Sequence, residues 1–179
     1  MIFGLWRSRK DEARVLPIYS GIVAQARQPV FYAGLGVPDT LEGRYDMLML
    51  HAWLYMRRLN GEDEPAREIA RKVIDLMFDD MDTSLREMGV GDLSVPKKIK
   101  KMAQAFYGRA SAYDTALDEG GDALAEAVRR NVFAGEGRAE DASALATYIH
   151  QAIAALAAQP TQDLVGGGPV FPTPEGQAA

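Results

Sequence analysis

The run Met47–Met56, MLMLHAWLYM, contains one residue outside the apolar set, His51. As a helix it offers no face to water, and a helix that is apolar around its whole circumference is the buried centre of a bundle. The chain must therefore supply other segments to surround it. This second helix is expected to open at DTLE, with Asp39 as the cap and Glu42 at the reciprocal capping-box position, and to end near Leu59.

The neighbouring segments carry helical stripes. A first helix is predicted from about Ala13 to Arg27, followed by a loop marked by Pro29, Gly34, Gly36 and Pro38. A third starts near Pro65 and shows Ile69, Val73, Met77, Met81, Leu85 and Met88 on one side, with Gly89 placed for the C-terminal cap. Ser94 or Asp92 can cap a fourth, whose inward residues read Ile99, Met102, Phe106, Tyr107, Ala110, Tyr113 and Leu117. Gly120-Gly121 stops it. Shorter segments from Asp122 to Phe133 and from Asp141 to Ala158 complete the set. No alternating run is bounded by hairpin signals, and no solenoid repeat is present. The expectation is an all-α, single-domain bundle of about six helices over residues 13–158, with a Gly/Pro-rich disordered tail at 159–179.

Residues 1–12 form an N-terminal stub, in which apolar residues precede basic ones, the reverse of a secretory signal. Phe3, Trp6 and Arg7 are candidate membrane contacts, the alternative being that Trp6 docks on the core. No stretch approaches the roughly 20 apolar residues of a membrane span.

Chemistry is scarce. There is no cysteine, and His51 and His150 are the only histidines. Gly89-Val90-Gly91 has Ser94 where a dinucleotide fingerprint needs its third glycine, and neither a phosphate loop nor a nucleophile elbow occurs. Di-iron bundles use Glu-x-x-His, but Leu48 and Thr147 precede the two histidines at that spacing. A calcium loop counted from Asp80 meets Leu85 and Gly91 where Gly and Glu are required. No catalytic residue, metal or cofactor is assigned, and His51 is read as a hydrogen-bonded core histidine.

The segment Leu85–Met102 has the most character. Asp79, Asp80, Asp82, Glu87 and Asp92 surround a lone Arg86, and then Lys97, Lys98, Lys100 and Lys101 fall within five residues. Cations at a helix start oppose the macrodipole and repel one another, so stability alone does not select them. Pairing with the acids across the turn would explain only their tolerance, because exposed pairs contribute about 0–1 kcal/mol. A helix-turn-helix is the nucleic-acid alternative, using the Lys97–Lys101 helix on phosphates. Against it stand Pro96 in the first turn, the adjacent acids, and a lack of base-reading side chains beside the lysines. With 20 basic against 25 acidic residues, the chain is not a general polyanion binder, and no DNA partner is expected. Seven of the eight methionines lie between Met47 and Met102; they read chiefly as filling an irregular core, with one or two lining an apolar groove.

Two long stretches, VPDTLEGRYDMLMLHAWLYMRRL and DLMFDDMDTSLREMGVGDLSVPKKIKKMAQAFYGR, resemble the ubiquinol–cytochrome c chaperone family, and the likeness runs from about Pro17 through Asn131. The resemblance implies a non-enzymatic bacterial assembly factor that binds newly made cytochrome b and supports assembly of the cytochrome bc1 complex. It further implies a ribosome or a small partner protein as an additional contact. The expected location is the cytoplasm, peripheral to the cytoplasmic face of the inner membrane. Asp82, Arg86, Asp92, Lys97, Lys98 and Lys101 are then candidate polar contacts for the client, with Leu93 and Val95 as apolar anchors.

Overall fold

The computed structural model describes the backbone of residues 9–175 and the side chains from Ala13 to Glu175. Its elements are α1 (Arg9–Ala26), α2 (Pro29–Ala33), α3 (Leu41–Asn60), α4 (Glu64–Glu87), α5 (Val95–Glu119), α6 (Ala123–Asn131), α7 (Ala139–Ala157) and α8 (Thr161–Gly166). No strand occurs among the described residues. The all-α single-domain expectation therefore stands, with two short helices, α2 and α8, added to the six foreseen.

Helix α3 organises the bundle. Every residue from Met47 to Tyr55 is buried, and α1, α4, α5 and α7 all pack on it. Its N-cap is Thr40, whose hydroxyl accepts from Gly43 N at 3.1 Å. The expected cap, Asp39, instead pairs with Arg44 at 2.7 Å. Register decides the outcome, since Gly43 stands three residues after Thr40 and leaves no side chain to complete a capping box. Glycine is required there because the Pro38 carbonyl oxygen lies 2.0 Å from where a Cβ would sit.

Helix α4 starts on Asp63, which accepts from Ala66 N at 3.0 Å, and carries Pro65 in its first turn. It ends in a Schellman motif: Val90 N donates to Leu85 O at 3.0 Å and Gly89 N to Arg86 O at 2.9 Å, with Gly89 at φ +80°. The chain can then reverse within a few residues and start α5. Phe78 and Phe106 meet edge to face at 5.9 Å, well back from the turn on both helices. Only an antiparallel hairpin brings such positions together, because perpendicular helices diverge by about 1.5 Å per residue travelled.

Two further expectations are corrected. Helix α1 already includes residues 9–12, ahead of the expected start at Ala13, because the charged run RKDE carries no apolar stripe for periodicity to register. The segment beyond Pro160, expected to be disordered, is folded through residue 175. Its backbone finds partners on the body: Leu164 is fully buried with its carbonyl accepting from the Tyr55 hydroxyl at 3.1 Å, and Pro172 O accepts from Gln25 Nε2 at 3.1 Å. Gln159 clamps Val170 in both directions, at 2.7 and 2.9 Å. Composition gave no sign of these bonds, since the donors and acceptors lie on distant helices.

Candidate functional site: the α4–α5 hairpin

The tip of the hairpin gathers the residues singled out in the sequence, with its acids paired to Arg86 and not to the lysines. Arg86 reaches Asp82 at 2.5 Å, one turn back on α4, and Asp92 at 2.6 Å across the loop. The acids are thus neutralised locally by one guanidinium. Lys97, Lys98, Lys100 and Lys101 are exposed, and among the described residues none forms an ion pair. Between the two groups stands Leu93, 91 % exposed, and Met88 at the end of α4 is 49 % exposed.

Val95 must be withdrawn as an anchor. It is completely buried, because the first residue of α5 turns under the hairpin and joins the inward side with Phe106. Its neighbour Leu93, still in the loop, points away from the body. The methionines divide in the same manner. Met47, Met49, Met77 and Met81 are core residues, and Met56 and Met102 pack partly buried against the core. Only Met88 of the cluster is substantially exposed. The stub residues Phe3, Trp6 and Arg7 lie outside the described residues.

Two features escaped the sequence reading. Tyr107, assigned inward, is 55 % exposed, because Phe106 already takes the core-facing position of that turn. Asp46 on α3 and Arg109 on α5 form a largely buried ion pair at 2.5 Å. Burial pushes the Asp46 carboxyl up to about 6, against the opposing pull of Arg109. A lone acid at the edge of an apolar helix was the available signal for it.

His51 is fully buried, with Nδ1 2.7 Å from Met47 O and Nε2 2.8 Å from the Tyr148 hydroxyl. A carbonyl only accepts, so Nδ1 carries the proton and donates, and Tyr148 donates to Nε2. Burial holds the ring neutral, down to about 4. The Tyr148 oxygen in turn accepts from Gln25 Nε2 at 3.0 Å, and Phe171 packs edge-on against His51 at 5.0 Å. With both nitrogens committed and no solvent access, His51 is placed for structure rather than proton transfer. Among the described residues, no group of three or more His, Cys, Asp or Glu could hold a metal ion. No described helix is long and apolar enough to cross a membrane. A surface cleft of about 380 Å³ between Arg27, Tyr32 and Arg44 has neither the hairpin-tip residues nor His51 in its lining.

The antiparallel geometry also gives no support to the helix-turn-helix alternative, which sets its two helices at roughly 90–120°.

Comparison with known proteins is consistent with these features. The family model described as ubiquinol-cytochrome C chaperone matches residues 33–171. Similar sequences include the ubiquinol-cytochrome-c reductase complex assembly factor 1 of Xenopus laevis, 24% identical over 123 residues that make up 69% of this chain and 62% of that protein. The Homo sapiens protein of that name is 25% identical over 164 residues, 90% of this chain and 54% of its own length. The chain thus spans a little over half the length of these relatives. Among solved structures, the crystal structure of the Cbp3 homolog from Brucella abortus superposes with a TM-score of 0.83 and 42% identity, covering 97% of both chains.

Proposed function

This chain belongs to the ubiquinol-cytochrome C chaperone family, and from that premise we propose that it is a non-enzymatic assembly factor for the ubiquinol–cytochrome c reductase complex. Its client in this reading is newly made cytochrome b, a membrane protein of apolar helices joined by polar loops. The names of the vertebrate relatives support the assembly role. The observation that carries the choice of surface is Leu93, an apolar side chain left open between a neutralised Asp82–Arg86–Asp92 cluster and four unpaired lysines. An apolar anchor inside a charged rim suits a client with both kinds of surface, the rim setting orientation. Asp82, Arg86, Asp92, Lys97, Lys98 and Lys101 are the proposed polar contacts, and the protein works at the membrane surface as a peripheral partner.

The test is a photo-crosslinking residue placed at Leu93 in cells that make the complex, with exposed His150 on α7 as the control position. Cytochrome b crosslinked from position 93 and not from 150 supports the proposal. Equal or absent crosslinking at both, together with normal complex assembly after deletion of the gene, overturns it.

A further inference from the structure

We propose that the lysine face of α5 docks on the anionic phospholipid headgroups of a membrane, with Leu93 entering the boundary of the acyl region. The inference rests on the reading above, that the hairpin serves a membrane-protein client, and it gives the lysines a second partner, the lipid around that client.

Three observations carry it. The first is direction. At about 100° per residue, Lys97 and Lys101 fall opposite Ile99, Met102 and Phe106 on α5, with Lys98 and Lys100 on the two flanks of that outward arc, and all four are exposed. Ile99 and Met102 pack partly buried against the core and Phe106 is fully buried, which fixes that orientation. The second is charge. No acidic residue occurs between Val95 and Tyr113. The nearest acids of the packed α4 end, Asp82 and Asp92, are held by Arg86, leaving exposed Glu87 as the remaining carboxylate of that turn. Among the described residues none of the four lysines forms an ion pair, although the chain as a whole is acidic, at -5. The third is the apolar tip. Leu93 at 91 % and Met88 at 49 % exposure project from the same end as the lysines.

A cluster of four or more lysines beside an exposed apolar residue matches an anionic bilayer, where ammonium groups reach phosphates along flexible stems and the apolar side chain leaves water. Nucleic acid also offers phosphates, but its backbone has no use for Leu93 and Met88, and lysines carry little base recognition. A headgroup layer would hold the hairpin tip in the plane where the loops of a membrane-embedded client emerge.

The experiment is flotation of the full chain with vesicles of phosphatidylcholine alone or mixed with phosphatidylglycerol, at low and high salt, with no client present. The variants are the combined Lys97→Gln, Lys98→Gln, Lys100→Gln, Lys101→Gln protein and, separately, Leu93→Ser. All five side chains are exposed, and circular dichroism confirms that each variant is folded. Expected is salt-sensitive binding to the phosphatidylglycerol vesicles alone, weakened about fivefold per lysine removed and further reduced by Leu93→Ser. Equal binding to both vesicle types, or undiminished binding by the lysine variant, overturns the proposal. So does lysine-dependent binding of a mixed-sequence RNA by a protein that ignores the vesicles. Because only lipid is present, loss of this inference is separate from loss of the client reading, which the Leu93 crosslink decides.

Discussion

The Tyr148 hydroxyl donates to His51 Nε2 and accepts from Gln25 Nε2, so a single oxygen on α7 joins α3 to α1 inside the core. Tyr148→Phe keeps the ring and removes both bonds, leaving a buried imidazole acceptor without a donor. The expected loss is about 2 kcal/mol, as for other unsatisfied buried groups. It is read as a lower urea midpoint with an unchanged m-value. A variant as stable as the parent would mean that the network contributes nothing net.

Two buried titrations oppose each other. Asp46 is raised by burial from 3.8 to about 6, so its stabilising contribution is full at low pH and is lost as pH rises through about 6. His51 is lowered by burial from 6.5 to about 4, so its contribution is full above 6.5 and is lost as pH falls towards 4. Each amounts to about 3 kcal/mol at its limit. Relative to the parent, Asp46→Asn should lose stability on acidification between pH 6.5 and 4, and His51→Gln should gain it. Urea melts across that range check the opposite slopes; parallel curves would refute the assignment.

Glycines in two helices should respond to alanine with opposite signs. At Gly43 the new Cβ meets the Pro38 carbonyl oxygen at 2.0 Å, so the first turn of α3 must move. At Gly108 nothing lies within 4 Å, and alanine should stabilise α5 by up to about 1 kcal/mol through its helix propensity. Thermal melts should show Gly43→Ala lowered and Gly108→Ala unchanged or raised.

Leu93 and Val95 separate contact from scaffold. Leu93→Ala should leave stability within about 0.5 kcal/mol of the parent, as usual for surface sites. Val95→Ala empties a fully buried position and should cost about 2 kcal/mol. Denaturant melts decide this before any binding measurement is made. Equal losses would mean that Leu93 is packed in solution.

Where local pattern and tertiary outcome coincided, the sequence was readable. The all-round apolarity of α3 foretold its burial from Met47 to Tyr55, and Gly89 foretold the Schellman turn that opens the hairpin. Readability failed where the deciding partner is remote. Leu93 and Val95 look alike in sequence, yet one is open and the other closed because α5 begins between them. The pairing of Asp82 and Asp92 with Arg86 rather than with the lysines depends on the loop bringing Asp92 back over α4. Tyr107 is exposed because only one arc of α5 is covered by the bundle, and Phe106, about 100° away, occupies it.

The segment from Leu164 to Pro172 finishes a core begun much earlier in synthesis. Tyr55 waits 109 residues for the carbonyl that its hydroxyl meets, and Gln25 waits 147 for Pro172. Until that stretch has left the ribosome, the central histidine lacks its Phe171 cover and α1 lacks its tie to the far end. Closure of the core therefore waits for segments far along the chain, and a chain halted before residue 164 lacks both the carbonyl that Tyr55 meets and the ring that covers His51.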